Sequence, residues 1–235
     1  MTNLTAELTK LPSLGEGQGV GELPSLGEGQ GVGEFHPFSP FLPANARLLM
    51  LGTFPPSEKR WSMKFYYPNF TNDMWRVVGL CFFDDPMHFV RQAEKTYNQE
   101  ALEAFLREKG IALYDTCTKV VRTTGTASDK DLLVVEETDI AGMLRKLPEC
   151  RAVVTAGQLA TTIACRQFGV PEPKVGQYAE FHLDGRQLRL YRMPSTSRAY
   201  PAPLAQKAEA YRKVFALLRP VTAFFVFLFL KLFIL

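Results

Sequence analysis

The chain has 235 residues, with 27 lysine and arginine residues against 24 aspartate and glutamate residues, a formal net charge of +3. Hydrophobic residues make up 46% of the chain and charged residues 22%, a globular composition that excludes a largely disordered protein. The cysteines form no C-x-x-C pair and have no histidine close by in sequence, which excludes zinc-finger and ferredoxin-type metal sites.

The N-terminal segment is a tandem repeat. Residues 11–22 (LPSLGEGQGVGE) recur without change at 23–34. The repeat has no apolar face to bury, no strand precedes it, and its glycines do not follow the G-x-G-x-x-G spacing of a nucleotide loop. We therefore predict a disordered low-complexity tail over 1–34. This tail holds five glutamates and one lysine, so residues 35–235 carry 26 basic against 19 acidic groups, a surplus that permits a polyanionic partner.

Strands and helices alternate after the tail. The first half of the chain predicts a short buried strand at 47–53 and a helix at 72–80. A longer helix is predicted at 86–109, closed by Gly110, and a second buried strand at 111–116.

The second half continues the alternation. It predicts a helix at 136–147, a strand at 152–156, a helix at 158–168, a hairpin of strands at 178–183 and 187–193 around Asp184–Gly185, and a final helix at 201–218. This order is typical of a three-layer α/β/α sandwich with a mostly parallel central sheet. Such sheets bind ligands at the carboxyl ends of their strands.

The C-terminal residues 221–235 (VTAFFVFLFLKLFIL) are strongly apolar. As a helix they would span about 22 Å, short of a hydrocarbon core of about 30 Å. A membrane anchor is the weaker alternative, and we predict a hydrophobic, poorly packed extension over 220–235 that follows a domain at 35–219.

The cysteines and the N-terminus suggest a location. Each cysteine lies in or beside an apolar run, so we expect reduced and mostly buried thiols. No apolar stretch follows a basic start, so we expect no secretory signal. We predict a cytoplasmic monomer.

Three segments fall at the carboxyl ends of the predicted strands. The first contains Gly52-Thr53-Phe54-Pro55 and then Tyr67–Trp75 (YPNFTNDMW), in which Asn72 precedes Trp75 by three residues. The second is YDTCTK at 114–119, and the third contains Met193-Pro194-Ser195-Thr196-Ser197. In their order and placement these motifs resemble the uracil-DNA glycosylase superfamily, especially its hypoxanthine-DNA glycosylase and mismatch-specific branches. The resemblance covers the domain at 35–219 and implies a uracil-DNA glycosylase-like fold.

Two positions depart from the superfamily pattern. Phe54 stands at or beside the position where several branches have a water-holding Asn or Asp, and Met193 replaces the histidine that stabilises the departing base in the uracil-specific branch. The hypoxanthine branch instead uses the Asn before Trp, which matches Asn72. The chain is therefore closer to the slower, broader branches.

The resemblance implies catalytic roles for Asn72, Asp115 and Asn69. Asn72 would hold the attacking water through its carbonyl oxygen, with the alternative that it only caps the helix before Trp75. Asp115 stands where the superfamily reads the base edge with Asn, with the alternative that it caps residues 116–118.

The same resemblance implies a base pocket and a DNA-binding loop. The pocket comprises Gly52, Thr53, Phe54, Pro55, Tyr66 and Tyr67, in a loop whose aromatic rings can stack on a base or belong to the core. The DNA-binding loop comprises Pro194, Ser195, Thr196, Ser197 and Arg198, with help expected from the N-terminus of the final helix. Simple capping is the alternative for the hydroxyls, and Arg198 or Tyr200 would reach the minor groove.

Some polar residues lie outside these segments. We assign no catalytic role to His36, His88 or His182, and we expect Asp129 and Lys130 to be solvated.

The resemblance implies a monofunctional DNA glycosylase that hydrolyses the N-glycosidic bond of a flipped-out deaminated base, uracil or hypoxanthine. Hydrolysis is expected because no motif contains a lysine that looks suited to catalysis. Its partner would be DNA that contains such a base, with no cofactor, no metal and no membrane. The alternative is a nucleic-acid-binding member of the same fold that is catalytically weak or inactive.

Overall fold

The computed structural model describes residues 33–124 and 128–218. Its centre is a five-stranded sheet built from β2 (Leu48–Gly52), β5 (Ile111–Asp115), β8 (Ala152–Ala156), β9 (Tyr178–Leu183) and β10 (Arg186–Met193), in the order β5-β2-β8-β10-β9. All neighbours are parallel except β9, which is antiparallel to β10 at the edge. The side chains of β2 and β5 are buried on both faces of the sheet, as in a parallel sheet that is covered by helices. The predicted α/β/α sandwich with a mostly parallel sheet is confirmed.

The helices that cover the sheet are α1 (Met74–Phe83), α2 (Gln99–Lys109), α3 (Ile140–Arg145), α4 (Gln158–Phe168) and α5 (Leu204–Phe215). Helix α2 packs against β5, α4 packs against β8 and β10, and α5 packs against β10 and α1. Gly110 ends α2 with φ +69°, where a Cβ would lie 2.5 Å from the Asn45 carbonyl oxygen. Only glycine fits this turn into β5.

Short apolar runs and turn-forming residues predict several elements correctly. The strand at 152–156 and the helix at 158–168 are found as predicted. The hairpin forms around Asp184 and Gly185, which both have positive φ, as a two-residue turn between twisted strands requires.

The first half of the helix predicted at 86–109 is wrong. Strands β3 (Val90–Arg91) and β4 (Thr96–Tyr97) form a short antiparallel hairpin there. Helix α2 begins only after Asn98, whose side chain accepts a hydrogen bond from the Ala101 N–H. The N-cap therefore fixes the start of the helix.

The helix predicted at 136–147 is also wrong at its start. Strand β7 (Leu132–Glu137) pairs antiparallel with β6 (Cys117–Arg122), and β6 pairs in turn with β1 (Glu34–Phe35) in a second, three-stranded sheet that the sequence did not predict. Helix α3 starts at Ile140 after Asp139, which caps the Gly142 N–H. Burial alternates along β7, where Leu132 and Val134 pack inward and Leu133 and Val135 are exposed.

Two predicted boundaries near the ends of the described residues differ from the structure. The predicted tail reaches residue 34, whereas Glu34 is part of β1 and pairs with Val120. Helix α5 starts at Leu204 instead of residue 201. The rest of the predicted tail, 1–32, and the predicted extension at 220–235 lie outside the described residues. Within 33–124 and 128–218, no helix is long and apolar enough to cross a membrane.

The cysteines are free thiols. Cys117, Cys150 and Cys165 are buried and Cys81 is half-buried, as the sequence predicts. Burial raises the pKa of Cys117 to about 11 and that of Cys81 to about 12, so both keep their protons near neutral pH.

Candidate active site

A cavity of about 150 Å³ lies at the carboxyl ends of β2, β5 and β8. An engineered cavity of about this volume binds benzene, so the space accommodates a single planar ring. The predicted site residues that line it are Gly52, Thr53, Phe54, Pro55, Tyr67, Asn69, Asn72, Asp115, Ser195, Thr196, Ser197 and Arg198. The three motif segments therefore meet around one cavity.

One wall of the cavity depends on a close approach between β2 and β5. Gly52 and Asp115 are register partners at the ends of these strands. A Cβ at Gly52 would lie 2.4 Å from Asp115 Oδ1. A glycine at this position gives the carboxylate room to lie against the backbone of β2.

Asp115 is held by a histidine that the sequence analysis left unassigned. His36 Nε2 lies 2.8 Å from Asp115 Oδ2, and the His36 side chain is only 2% exposed. Because an ionised carboxylate only accepts, Nε2 donates in this bond. Backbone pairing of His36 with Thr118, next to β1, places the ring there. The partners are 79 residues apart, so no local motif could indicate the contact.

Asp129 was predicted to be solvated, and that prediction is wrong. Its carboxylate lines the cavity and accepts a hydrogen bond of 2.7 Å from the Thr53 hydroxyl. Burial raises the pKa of Asp129 above its ordinary value, and the Thr53 hydrogen bond offsets part of the rise. Lys130 is exposed, as predicted.

The two asparagines line the cavity from the loop before α1. Asn72 Oδ1 accepts a hydrogen bond of 2.9 Å from the Met74 N–H at the start of the helix. Asn69 Oδ1 accepts from the backbone and the hydroxyl of Thr71, each at 2.9 Å. Asn72 therefore has the capping contact of the alternative interpretation and also lies at the cavity. The second lone pair of its oxygen is available to a water.

The two neighbouring tyrosines differ in position. Tyr66 is buried outside the cavity, and its hydroxyl donates to the Ser39 carbonyl oxygen at 2.8 Å. The structure therefore places Tyr66 in the core, outside the cavity that most of the other predicted pocket residues line. Tyr67 does line the cavity. Its buried hydroxyl has no hydrogen-bond partner among the described residues.

The Pro-Ser loop after β10 is fixed by local hydrogen bonds. Ser195 Oγ accepts from the Ser197 N–H, and Ser197 Oγ accepts from the Ala199 N–H, each at 3.2 Å. Pro194 does not line the cavity, and its carbonyl oxygen accepts from the Tyr211 hydroxyl at 3.1 Å. Helix α5 begins at Leu204 after Pro203 and no side chain caps it, so these hydroxyls do not have the capping role of the alternative interpretation.

A buried ion pair connects the loop to α1. Lys207 Nζ lies 3.0 Å from Asp73 Oδ2 and donates to the Ser197 carbonyl oxygen at 2.9 Å. The Asp73 N–H donates to the Thr196 carbonyl oxygen at 2.9 Å. Arg198 lies on the solvent side of the pair, with Nε 3.5 Å from Asp73 Oδ1 and its side chain 57% exposed. No sequence pattern indicated Lys207, which is one of two lysines in an amphipathic helix.

The described residues contain no cluster of histidine, cysteine and acidic side chains that could hold a metal ion. The side chains that line the cavity include two amides, two carboxylates, a phenol and the guanidinium groups of Arg122 and the exposed Arg198. Such groups can hold a planar polar ring, position a water and stabilise positive charge.

The fold is similar to that of a solved structure. No protein-family model matches the chain, and no curated protein is significantly similar to it. A solution NMR structure described as a "putative Uracil DNA glycosylase" from Methanosarcina acetivorans superimposes with a TM-score of 0.52. The two sequences are 22% identical over 77% of this chain and 96% of that chain. This similarity supports the fold class that the sequence motifs predict.

Proposed function

We propose that the protein is a monofunctional DNA glycosylase that hydrolyses the N-glycosidic bond of a flipped-out deaminated base, uracil or hypoxanthine. The observation that carries the proposal is the single cavity formed by the G-x-x-P loop, the Asn-x-x-Trp segment and the Pro-Ser loop. A cavity at the carboxyl ends of parallel strands is where an open α/β sheet binds its ligand. Membership of the hypoxanthine-specific or mismatch-specific branch is part of the proposal.

The cavity suits a base more than a larger ligand. Its volume of about 150 Å³ is the size of one ring system. A base inside a duplex must leave the stack to enter such a pocket. The rings of Phe54 and Tyr67 supply apolar wall, and Asp115 supplies a hydrogen-bond acceptor for an N–H on the base edge.

Cleavage of the bond passes through an oxocarbenium-like sugar. The Asn72 carbonyl oxygen holds the water that attacks the anomeric carbon. An amide cannot remove a proton from that water at neutral pH, so its contribution is positioning. The carboxylates of Asp115 and Asp129 place negative charge at the cavity, which stabilises the positive charge that develops on the sugar.

This apparatus also predicts selectivity. Met193 is buried at the end of β10, so no histidine is available there to stabilise the leaving base. Deaminated bases depart more readily than adenine or cytosine. A site that relies on positioning therefore favours uracil and hypoxanthine.

The exposed rim is suited to the DNA backbone. The Arg198 guanidinium and the Ser195–Ser197 loop lie at the cavity. The body of the chain, 35–235, carries 26 basic against 19 acidic groups, so binding to undamaged duplex should weaken steeply with salt as counterions are released.

The alternative is a nucleic-acid-binding protein of the same fold without base excision. Phe54 and Met193, in place of polar groups, favour this alternative. Incubation with labelled oligonucleotides that carry uracil, hypoxanthine, xanthine or a mismatched thymine, followed by alkali, separates the two. Excision of uracil or hypoxanthine, with strand breaks only after alkali, would support a monofunctional glycosylase. Salt-dependent binding without any excision would favour the alternative.

A further inference from the structure

The Tyr67 hydroxyl is a buried polar group without a hydrogen-bond partner among the described residues. Leaving such a group unpaired typically costs about 1–3 kcal/mol, and folded proteins leave few of them. The backbone of Tyr67 is unusual as well, with φ +50°. A non-glycine residue in this region is uncommon, and such outliers concentrate at ligand-binding sites.

The hydroxyl lies close to the carboxylate that faces the cavity. A Cβ atom placed on Gly52 would lie 3.8 Å from the Tyr67 hydroxyl oxygen and 2.4 Å from Asp115 Oδ1. A donor and an acceptor therefore lie close to the same point at the end of β2, and both residues line the cavity. Burial, with smaller contributions from Tyr211 and Asp115, raises the pKa of Tyr67 well above that of an ordinary phenol. The hydroxyl consequently keeps its proton and can donate.

Neighbouring contacts hold the ring in this position. The Tyr67 ring packs edge-to-face on the buried Trp75, with ring centroids 5.8 Å apart. The next residue, Pro68, is fixed because its carbonyl oxygen accepts from the backbone and the hydroxyl of Ser62, each at 2.8 Å. The donor is thus preorganised before any ligand binds.

We propose that the Tyr67 hydroxyl determines base specificity by donating a hydrogen bond to the ring carbonyl oxygen of a lactam base, beside the ring N–H that Asp115 accepts. The inference rests on the proposed function and extends it to a class of substrate. Uracil presents C4=O next to N3–H, and hypoxanthine presents C6=O next to N1–H. Cytosine and adenine carry an amino group at that position and an unprotonated ring nitrogen beside it. The hydroxyl would then find no carbonyl acceptor, and the Asp115 carboxylate would face a lone pair.

The test compares Tyr67→Phe with the matched variant Tyr66→Phe. Tyr66 is the adjacent tyrosine, is also buried, and has its hydroxyl bonded to Ser39 outside the cavity. Tyr67→Phe removes an unpaired hydroxyl, so its Tm should equal or exceed that of the wild type, while kcat/KM for uracil or hypoxanthine falls about ten- to a hundredfold. Tyr66→Phe should lower Tm and leave excision unchanged. Tyr67→Phe with wild-type excision would overturn the proposal.

A substrate change tests the contact itself. A thiocarbonyl accepts hydrogen bonds more weakly than a carbonyl, so the wild type should excise 4-thiouracil or 6-thiohypoxanthine more slowly than the oxygen parent. The ratio of the two excision rates should be smaller in the wild type than in Tyr67→Phe, which lacks the donor. Comparing the two ratios removes the effect of sulfur on the leaving group. Equal ratios in both proteins would contradict the hydrogen bond.

Failure of the proposed function gives a different result. If the wild type excises none of the bases, the glycosylase proposal fails, and the contact is then tested by thermal shift with free uracil and free hypoxanthine. Stabilisation of the wild type that Tyr67→Phe lacks would support the inference. Equal shifts, or none in either protein, would overturn it.

Discussion

The two sides of the cavity are built differently. On the side formed by β2 and the loop that follows it, polar groups are buried or unpaired in ways that lower the free energy of unfolding. The Tyr67 hydroxyl is unpaired among the described residues, and burial raises the pKa of the Asp129 carboxyl. On the side formed by the Pro-Ser loop, the Asp73–Lys207 pair and the Ser197 carbonyl oxygen satisfy one another.

This difference separates a reacting side from a supporting side. Groups kept in unfavourable conditions indicate where a ligand completes the hydrogen bonding, because real proteins break local rules mainly at functional sites. Groups that are fully paired fix the position of a loop. Substitutions on the supporting side should therefore change stability first, and those on the reacting side should change excision first.

The largest effect is expected from Lys207 on the supporting side. Replacing it with methionine keeps most of the apolar stem but leaves the Asp73 carboxylate without its buried partner. Loss of one member of a buried pair typically costs about 3–5 kcal/mol, and urea unfolding should show a decrease of this size. Lys213→Met, at an exposed position of the same helix, is the control and should stay near the wild type. Similar free energies for the two variants would show that the pair adds little.

Asn72 is expected to give the largest effect on the chemistry. Asn72→Ala should lower single-turnover excision by about 10²-fold or more, by analogy with the loss of other positioning groups, while binding to abasic product stays nearly unchanged. Asn69→Ala should cost less because its side chain oxygen is engaged with Thr71. Asn72→Asp should retain partial activity by holding the same water. A dead Asn69→Ala beside a fully active Asn72→Ala would reverse the assignment.

Asp129 gives a smaller effect that depends on pH. Since the folded protein raises its pKa above 3.8, the protonated form is favoured in the native state. Its contribution to the free energy of unfolding is full below pH 3.8 and is lost as pH rises through the raised pKa. The Asp129→Asn side chain does not ionise. The free energy of unfolding of this variant, measured in urea, should therefore rise relative to that of the wild type as pH increases over that window.

Excision and a second variant sharpen the Asp129 test. If the carboxylate stabilises the cationic sugar, Asp129→Asn should excise more slowly at neutral pH even though it is more stable. Thr53→Val removes the hydrogen bond that lowers the Asp129 pKa, so this pKa should rise further. The Asp129 contribution to the free energy of unfolding should then be lost at a higher pH than in the wild type. A stability difference that does not change with pH would contradict the buried position of this carboxyl.

The sequence predicted the central sheet because the relevant signals are local. The apolar run at 152–156 and the Asp184–Gly185 turn each specify an element without distant help. The contacts that complete the site are not local. His36 reaches Asp115 across 79 residues and Thr53 reaches Asp129 across 76.

These distant contacts depend on the three-stranded sheet, whose short strand β1 is too brief to produce a pattern. Sequence motifs therefore located the edge of the sheet where the cavity forms. They could not show that His36 contacts Asp115 or that Asp129 lines the cavity. Tyr66 and Tyr67 illustrate the same limit, since adjacent identical residues differ only in which side of the loop they occupy.

The smallest effect is expected at Arg198, which lies where the supporting side meets solvent. Its contact with Asp73 is 3.5 Å long and its side chain is 57% exposed, so the pair should contribute no more than about 1 kcal/mol to stability. Arg198→Ala should therefore unfold like the wild type.

The role of Arg198 in the proposed function is with DNA, where it would contact phosphate or fill the gap left by a flipped base. Only a duplex has such a gap, so the variant should lose more excision on double-stranded than on single-stranded substrate. A phosphate contact alone would instead reduce affinity for both substrates and lower the dependence of log affinity on log salt by about one. Comparing both substrates over a salt series distinguishes the two roles, and unchanged affinity and excision throughout would place Arg198 outside the DNA-binding surface.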